Sequence, residues 1–128
     1  MITQEDIDAF QDVDVSTMAK VGYVNLTLNK YQEEAVRTAI YPHTAQITYP
    51  AMGLANEAGE VLGKIKKIVR DGTFNRCDIV DELGDVLWYA AALARDLDVT
   101  LEEVAERNLT KLASRQERGT LKGSGDKR

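Results

Sequence analysis

Two short acidic motifs carry the chemistry this chain offers. Asn56-Glu57-Ala58-Gly59-Glu60-Val61-Leu62 is echoed 25 positions later by Asp81-Glu82-Leu83-Gly84-Asp85-Val86-Leu87, so each copy supplies two acidic side chains at i and i+3. On a helix turning about 100° per residue, that spacing leaves the two carboxylates roughly 60° apart. Glu57 and Glu60 then edge a stripe made by Leu54, Val61 and Ile65, and Glu82 and Asp85 stand in the same relation to Ile79, Val86 and Ala90. If the two stripes pack together, four carboxylates meet at one rim of the core. A lone Glu-x-x-Glu is more often a solvated flank, but two in the same phase repel one another where they meet and call for a cation. Oxygen ligands without His or Cys beside them suit Mg²⁺ or Mn²⁺ and not zinc. A di-iron centre in a helical bundle needs Glu-x-x-His on two helices, and the chain has a single histidine, His43. Gly59 and Gly84 each cost a helix interior about 1 kcal/mol relative to Ala, which close helix or subunit packing, or a site beside them, would explain.

A complementary charge lies further along. Asn108, Lys111 and Arg115 are spaced i, i+3 and i+7, hence on one helix face. An amide, an ammonium and a guanidinium in line can hold phosphate oxygens, although spacing alone fits a solvated basic face as well. Lys64, one turn beyond Glu60, is placed either to bind substrate or to balance the carboxylates.

These residues need helices, and the sequence supplies them. Both prolines fall at Pro42 and Pro50, after which Leu, Ala, Glu, Lys and Arg dominate. The spacing predicts a helix over Leu28 to Tyr41, with Thr27 or Asn29 as its cap and Pro42 beyond its end. A second starts near Pro50, buries Leu54, Ala58, Val61, Ile65 and Ile68, and stops at Asp71-Gly72. A third, from about Arg76 to Leu97, repeats the pattern with Ile79, Leu83, Val86, Ala90, Leu93 and Leu97. Thr100 and Glu103 form a capping box for a fourth, whose buried stripe would be Leu101, Val104, Ala105, Leu109 and Leu112. A short helix near Gln4 to Gln11 and a short strand within Gly22 to Leu28 are weaker readings. The expected architecture is all-α and four-helix-bundle-like. Residues 1–26 form an N-terminal extension, 27–118 the helical domain and 119–128 a flexible Gly-rich basic tail.

Composition narrows the function. The 128 residues carry a formal charge of −5, the wrong sign for a protein that wraps a phosphate backbone, so no nucleic acid partner is expected. The run Ala90 to Ala94 is far too short for the roughly 20 apolar residues that span a bilayer, and Gln4, Glu5, Asp6 and Asp8 stand where an export signal would be basic. No membrane partner and a cytoplasmic location are expected. One cysteine, Cys77, excludes a disulfide framework.

With its Glu57-Ala58-Gly59-Glu60 and Glu82-Leu83-Gly84-Asp85 separated by 21 residues, the chain resembles the MazG-like nucleoside triphosphate pyrophosphohydrolases. That all-α group includes dimeric dUTPases and dCTP pyrophosphatases, and its signature is E-x-x-E, a spacer, then E-x-x-D. Asn108, Lys111 and Arg115 match its N-x-x-K-x-x-x-R pattern, and the likeness runs from about Tyr31-Gln32 to the C-terminus. The resemblance implies Mg²⁺, with Mn²⁺ as a substitute, held by Glu57, Glu60, Glu82 and Asp85. It also implies hydrolysis of (deoxy)nucleoside triphosphates between the α and β phosphates, giving a nucleoside monophosphate and pyrophosphate. Glu57 would assist the attacking water, Lys111 and Arg115 would hold the β and γ phosphates, and Asn108 would touch phosphate or sugar. Gln32 and Tyr89 are candidates for the base pocket; Trp88 suits a subunit contact better. The expected assembly is a homodimer or homotetramer. The tail from Gly123 to Arg128 resembles tails of some relatives and would fold over the phosphates only with ligand. Two alternatives stay open, a non-catalytic helical module that binds a cation or partner, and a related phosphoribosyl-ATP pyrophosphatase.

Overall fold

The computed structural model describes residues 25–73 and 75–122. Four α-helices follow one another in it: α1 (Leu28–Ala35), α2 (Thr48–Asp71), α3 (Arg76–Asp96) and α4 (Leu101–Glu117). No strand occurs among the described residues, so the all-α expectation holds. The helix at Gln4 to Gln11, residues Gly22 to Val24 of the strand and the tail from Gly123 lie outside the described residues; Asn25 to Thr27 are not in a strand.

Helix ends follow local chemistry. The Thr27 hydroxyl accepts from Lys30 N–H at α1, and Gly72, left-handed at φ 68°, closes α2 with its N–H on Ile68 O. The Asn75 side chain accepts from Cys77 N–H at the start of α3. Its far end is a Schellman motif with Asp98 in the left-handed position (φ 58°), Asp98 N–H reaching Arg95 O and Val99 N–H reaching Ala94 O. At α4 the capping box forms as expected. α1 completes that cap: Leu101 N–H donates to Gln32 Oε1 and Glu102 N–H to Asn29 Oδ1, while Glu103 N–H donates to Thr100 Oγ1. The first three amides of α4, which no helical carbonyl can satisfy, are thus all paired.

α1 is shorter than its periodicity predicts. In a continuing α-helix Ala35 O would accept from Ala39 N–H. Here that carbonyl accepts from the Trp88 indole (3.0 Å) and the Thr38 hydroxyl (2.7 Å), and Ala39 N–H turns to Val36 O. The chain tightens to a 3₁₀ turn over Val36–Thr38 and leaves the helix, releasing residues 39–47 as a separate segment.

α2 and α3, joined by four residues, make the most extensive packing in the molecule. The fully buried core sits at the other end of α3, where Ala91, Ala94 and Leu101 pack with Tyr31, Ala90 and Val99. An eight-residue α1 is only about 12 Å long and covers about a third of α3. The rest of the expected apolar stripes therefore stays open: Ala58 of α2, Leu83 beside α3's acidic motif, Leu97, and Val104, Leu109 and Leu112 of α4 are exposed, against the sequence expectation.

Candidate active site

The α2–α3 hairpin brings three of the four motif carboxylates together. Carboxylate oxygens of Glu57, Glu82 and Asp85 all lie within 4.8 Å of one another, two of the residues half-buried and Asp85 exposed. Oxygens ligating one divalent ion at about 2.1 to 2.4 Å are separated by no more than twice that length, so the spread of this trio fits a single hard cation. Glu60 is exposed and outside the trio. Its carboxylate instead lies along α2 over Gly63, whose missing Cβ would be 4.0 Å from Glu60 Oε2.

Lys64 meets the cluster from α2. Its ammonium lies 3.2 Å from Glu82 Oε1, and that contact, with smaller contributions from Asp78 and Glu60, holds the amine above the usual lysine value. The ion pair joins Lys64 to a member of the trio.

Beside the carboxylates opens a cavity of about 470 Å³, lined by Thr38, Ile40, Tyr41, Tyr49, Glu57, Asp85, Trp88 and Tyr89. Its volume falls in the range of small-ligand sites. Two of its walls are the acidic residues themselves; the others are mainly aromatic. Tyr41 stacks on Tyr49 with centroids 5.0 Å apart, Tyr49 lies 6.3 Å from Tyr89, and Trp88 meets Tyr89 edge-on at 4.9 Å. Tyr89 rests directly on the α2 backbone at Gly53, where a Cβ would fall 2.0 Å from the ring. Burial, the neighbouring Tyr49 and the charges of Glu57 and Asp85 all push the Tyr89 phenol up, so it stays a neutral donor at any physiological pH.

The segment carrying Tyr41 is tied down by Asp96, the last residue of α3. Its side chain is 0% exposed. Oδ2 accepts from the Tyr41 hydroxyl and from Ile47 N–H, both at 2.9 Å, and Oδ1 accepts from Arg95 Nη2 at 2.8 Å. Arg95 also donates to Tyr41 Oη and lies 5.5 Å over the Tyr41 ring. Burial alone would raise the Asp96 carboxyl; hydrogen bonds from Ile47, Arg95 and Tyr41 outweigh it and hold the group below the ordinary aspartate value.

The cavity brings Tyr89 together with Glu57 and Asp85, and adds Trp88, whose indole N–H is spent on Ala35 O and Thr38 Oγ1. Gln32 is not among the lining residues. It is buried, its amide donating to Ala91 O and Val99 O while capping α4, so all its hydrogen bonds serve the fold. Asn108 and Lys111 line a different recess with Val104 and Arg107, and Arg115 is buried in the last turns of α4. Sequence reasoning missed Tyr41, Tyr49 and Asp96. One signal was present: Tyr41-Pro42 and Tyr49-Pro50 repeat a dipeptide eight residues apart, the first ahead of the acidic helix α2 and the second in its first turn.

The description of a MazG nucleotide pyrophosphohydrolase domain matches residues 48–120, which contain both acidic motifs and the whole of α4. The chain belongs to this family. It is also 50% identical over 109 residues to the gene 37 protein of Mycobacterium phage L5, an alignment that covers 77% of this chain and 96% of that one. No solved structure matches. Membership makes the protein a pyrophosphohydrolase-type enzyme of a family generally dependent on divalent metal, and no described helix is long and apolar enough to cross a membrane.

Proposed function

We propose that this MazG protein hydrolyses (deoxy)nucleoside triphosphates between the α and β phosphates in a Mg²⁺-dependent reaction, releasing a nucleoside monophosphate and pyrophosphate. The observation that carries this reading is the shared wall: Glu57 and Asp85 belong both to the carboxylate trio and to the aromatic cavity. Phosphates and a flat ring system are thereby offered adjoining places.

Glu57, Glu82 and Asp85 would hold the divalent ion, with Glu60 joining by a change of rotamer. The chemistry a bound ion supplies here is neutralisation of triphosphate charge and acidification of water. The remaining work falls to the chain. Glu57 stands at the boundary of the two sites and is our choice for the base that takes the proton of the attacking water. That water attacks one phosphorus of the α–β anhydride and breaks its bond to the bridging oxygen: attack at the α phosphorus expels pyrophosphate, and attack at the β phosphorus expels the nucleoside monophosphate, in each case carrying the bridging oxygen. Tyr49, Tyr89, Tyr41 and Trp88 offer ring faces and edges to the base. Lys64 can exchange Glu82 for phosphate, and Lys111, Arg115 and Asn108 keep, on resemblance, the roles of phosphate and sugar contacts.

We place the reaction in the cytoplasm, carried out by a homodimer or homotetramer. Large aliphatic side chains support assembly: Met52, Leu62 and Val69 on α2, and Val80, Leu83 and Leu87 on α3 are exposed on the hairpin. Incubation with a panel of nucleoside triphosphates and Mg²⁺ tests the activity. Monophosphate plus pyrophosphate is the expected pair of products; orthophosphate alone, or turnover that survives Glu57→Gln and Glu82→Gln, overturns it.

A further inference from the structure

We propose that Asp96, which touches no part of the acidic trio, is a positioning residue that sets the nucleoside affinity of the aromatic cavity by clamping the segment 39–47 in place. The inference deepens the functional reading above and rests on it for the identity of the ligand.

The clamp is needed because the segment is strained. Ile47 has φ 65° and ψ −53°, and Thr48 N–H closes back on Gln46 O at 2.7 Å, which together make a tight γ-turn. A β-branched residue at positive φ is rare, and such conformations persist only where the surroundings over-determine them. Asp96 is the over-determining contact: the amide it accepts from is that of Ile47 itself. The same oxygen accepts from Tyr41 six residues earlier, so one carboxylate fixes both ends of the chain between them.

The position is also electrostatically built. Ile47 precedes α2, which has no side-chain cap of its own, so the Asp96 carboxylate sits at the positive end of that helix's dipole. Being last in α3, it faces the unfavourable end of its own helix, and Arg95 beside it offsets that cost. A buried charge held by the start of α2, a phenol and a guanidinium is an expensive feature for a segment that only had to connect α1 to α2.

What the clamp delivers is a wall. With its hydroxyl engaged by Asp96 and Arg95, Tyr41 presents ring surface, stacked on Tyr49, toward the cavity that Trp88 and Tyr89 close from α3. Ile40, on the same segment and 98% exposed, stands at its rim. Releasing Asp96 frees the γ-turn to relax and Tyr41 to leave the stack, while the carboxylate trio, on the other part of the hairpin, keeps its geometry.

The experiment compares the full-length protein with Asp96→Asn and Tyr41→Phe. Trp88 is the only tryptophan in the chain and lines the cavity, so its fluorescence reads occupancy directly, with the four common deoxynucleoside monophosphates as probes. Expected for both variants is weaker monophosphate binding and a KM raised about tenfold with kcat within about twofold of the parent, and unchanged Mn²⁺ affinity by electron paramagnetic resonance. Parental KM and monophosphate affinity in a folded variant, or a loss of kcat or Mn²⁺ affinity in step with binding, overturns the proposal. Should Asp96→Asn fail to fold, Tyr41→Phe, which keeps the ring and removes only its tether, decides. Absence of hydrolysis in the parent, with Asp96-dependent monophosphate binding intact, would defeat the functional reading and leave this one standing.

Discussion

At the scale of single residues the site divides into groups that carry charge and groups that carry shape. Glu82 belongs to the first: it joins the trio and holds Lys64. Glu82→Gln keeps the volume and removes the charge, so Mn²⁺ affinity is expected to fall by at least tenfold and turnover by about 100-fold or more, read by calorimetry and by product release. Gly53 belongs to the second. Its substitution by Ala would gain about 1 kcal/mol of helix propensity yet drive a methyl group into the Tyr89 ring. Gly53→Ala is therefore expected to lower the melting temperature and shift Trp88 emission, since Trp88 abuts Tyr89. Gly59→Ala is the control, because nothing lies within 4 Å of a Cβ there, and the isolated chain should tolerate it.

At the scale of elements, helix termini explain both what could be read in advance and what could not. Thr100 and Glu103 announce the start of α4 because a capping box is a local object, four residues long and complete in itself. The Glu103 carboxyl is held below its usual value by hydrogen bonds from the Thr100 amide and hydroxyl. A depressed folded value means stability that is fully present above the unfolded glutamate pKa and lost as pH falls through the folded one. The melting temperature of Glu103→Ala should thus lie below the parent at pH 7, and the gap should close on acidification below about pH 4; a gap independent of pH would refute the assignment. The early end of α1 was not legible, for the opposite reason. It depends on Trp88 and Ala35 meeting across 53 positions, and periodicity carries no information about such a contact. Gln32 and Asp96 escaped for the same cause, each acting on backbone groups remote in sequence. The paired acidic motifs could be read because each is confined to one helix and the short link between α2 and α3 left them a single way to meet.

At the scale of the whole molecule, the exposed apolar faces are the main unmet demand. Leu83 is 57% exposed and Leu62 68%, one on each arm of the hairpin. Replacing both with Asp should convert the proposed homo-oligomer to a monomer by light scattering while leaving the helical circular dichroism signal in place; a parent that is itself monomeric at micromolar concentration refutes the expectation. The ion pair between Lys64 and Glu82 has a consequence on the same scale. Part of the negative charge crowded between the long arms is already answered by an amine of the protein's own. Prolonged dialysis against a chelator should accordingly yield a silent but still properly coiled polypeptide, one that regains its turnover on simple addition of magnesium salt without passing through a refolding step.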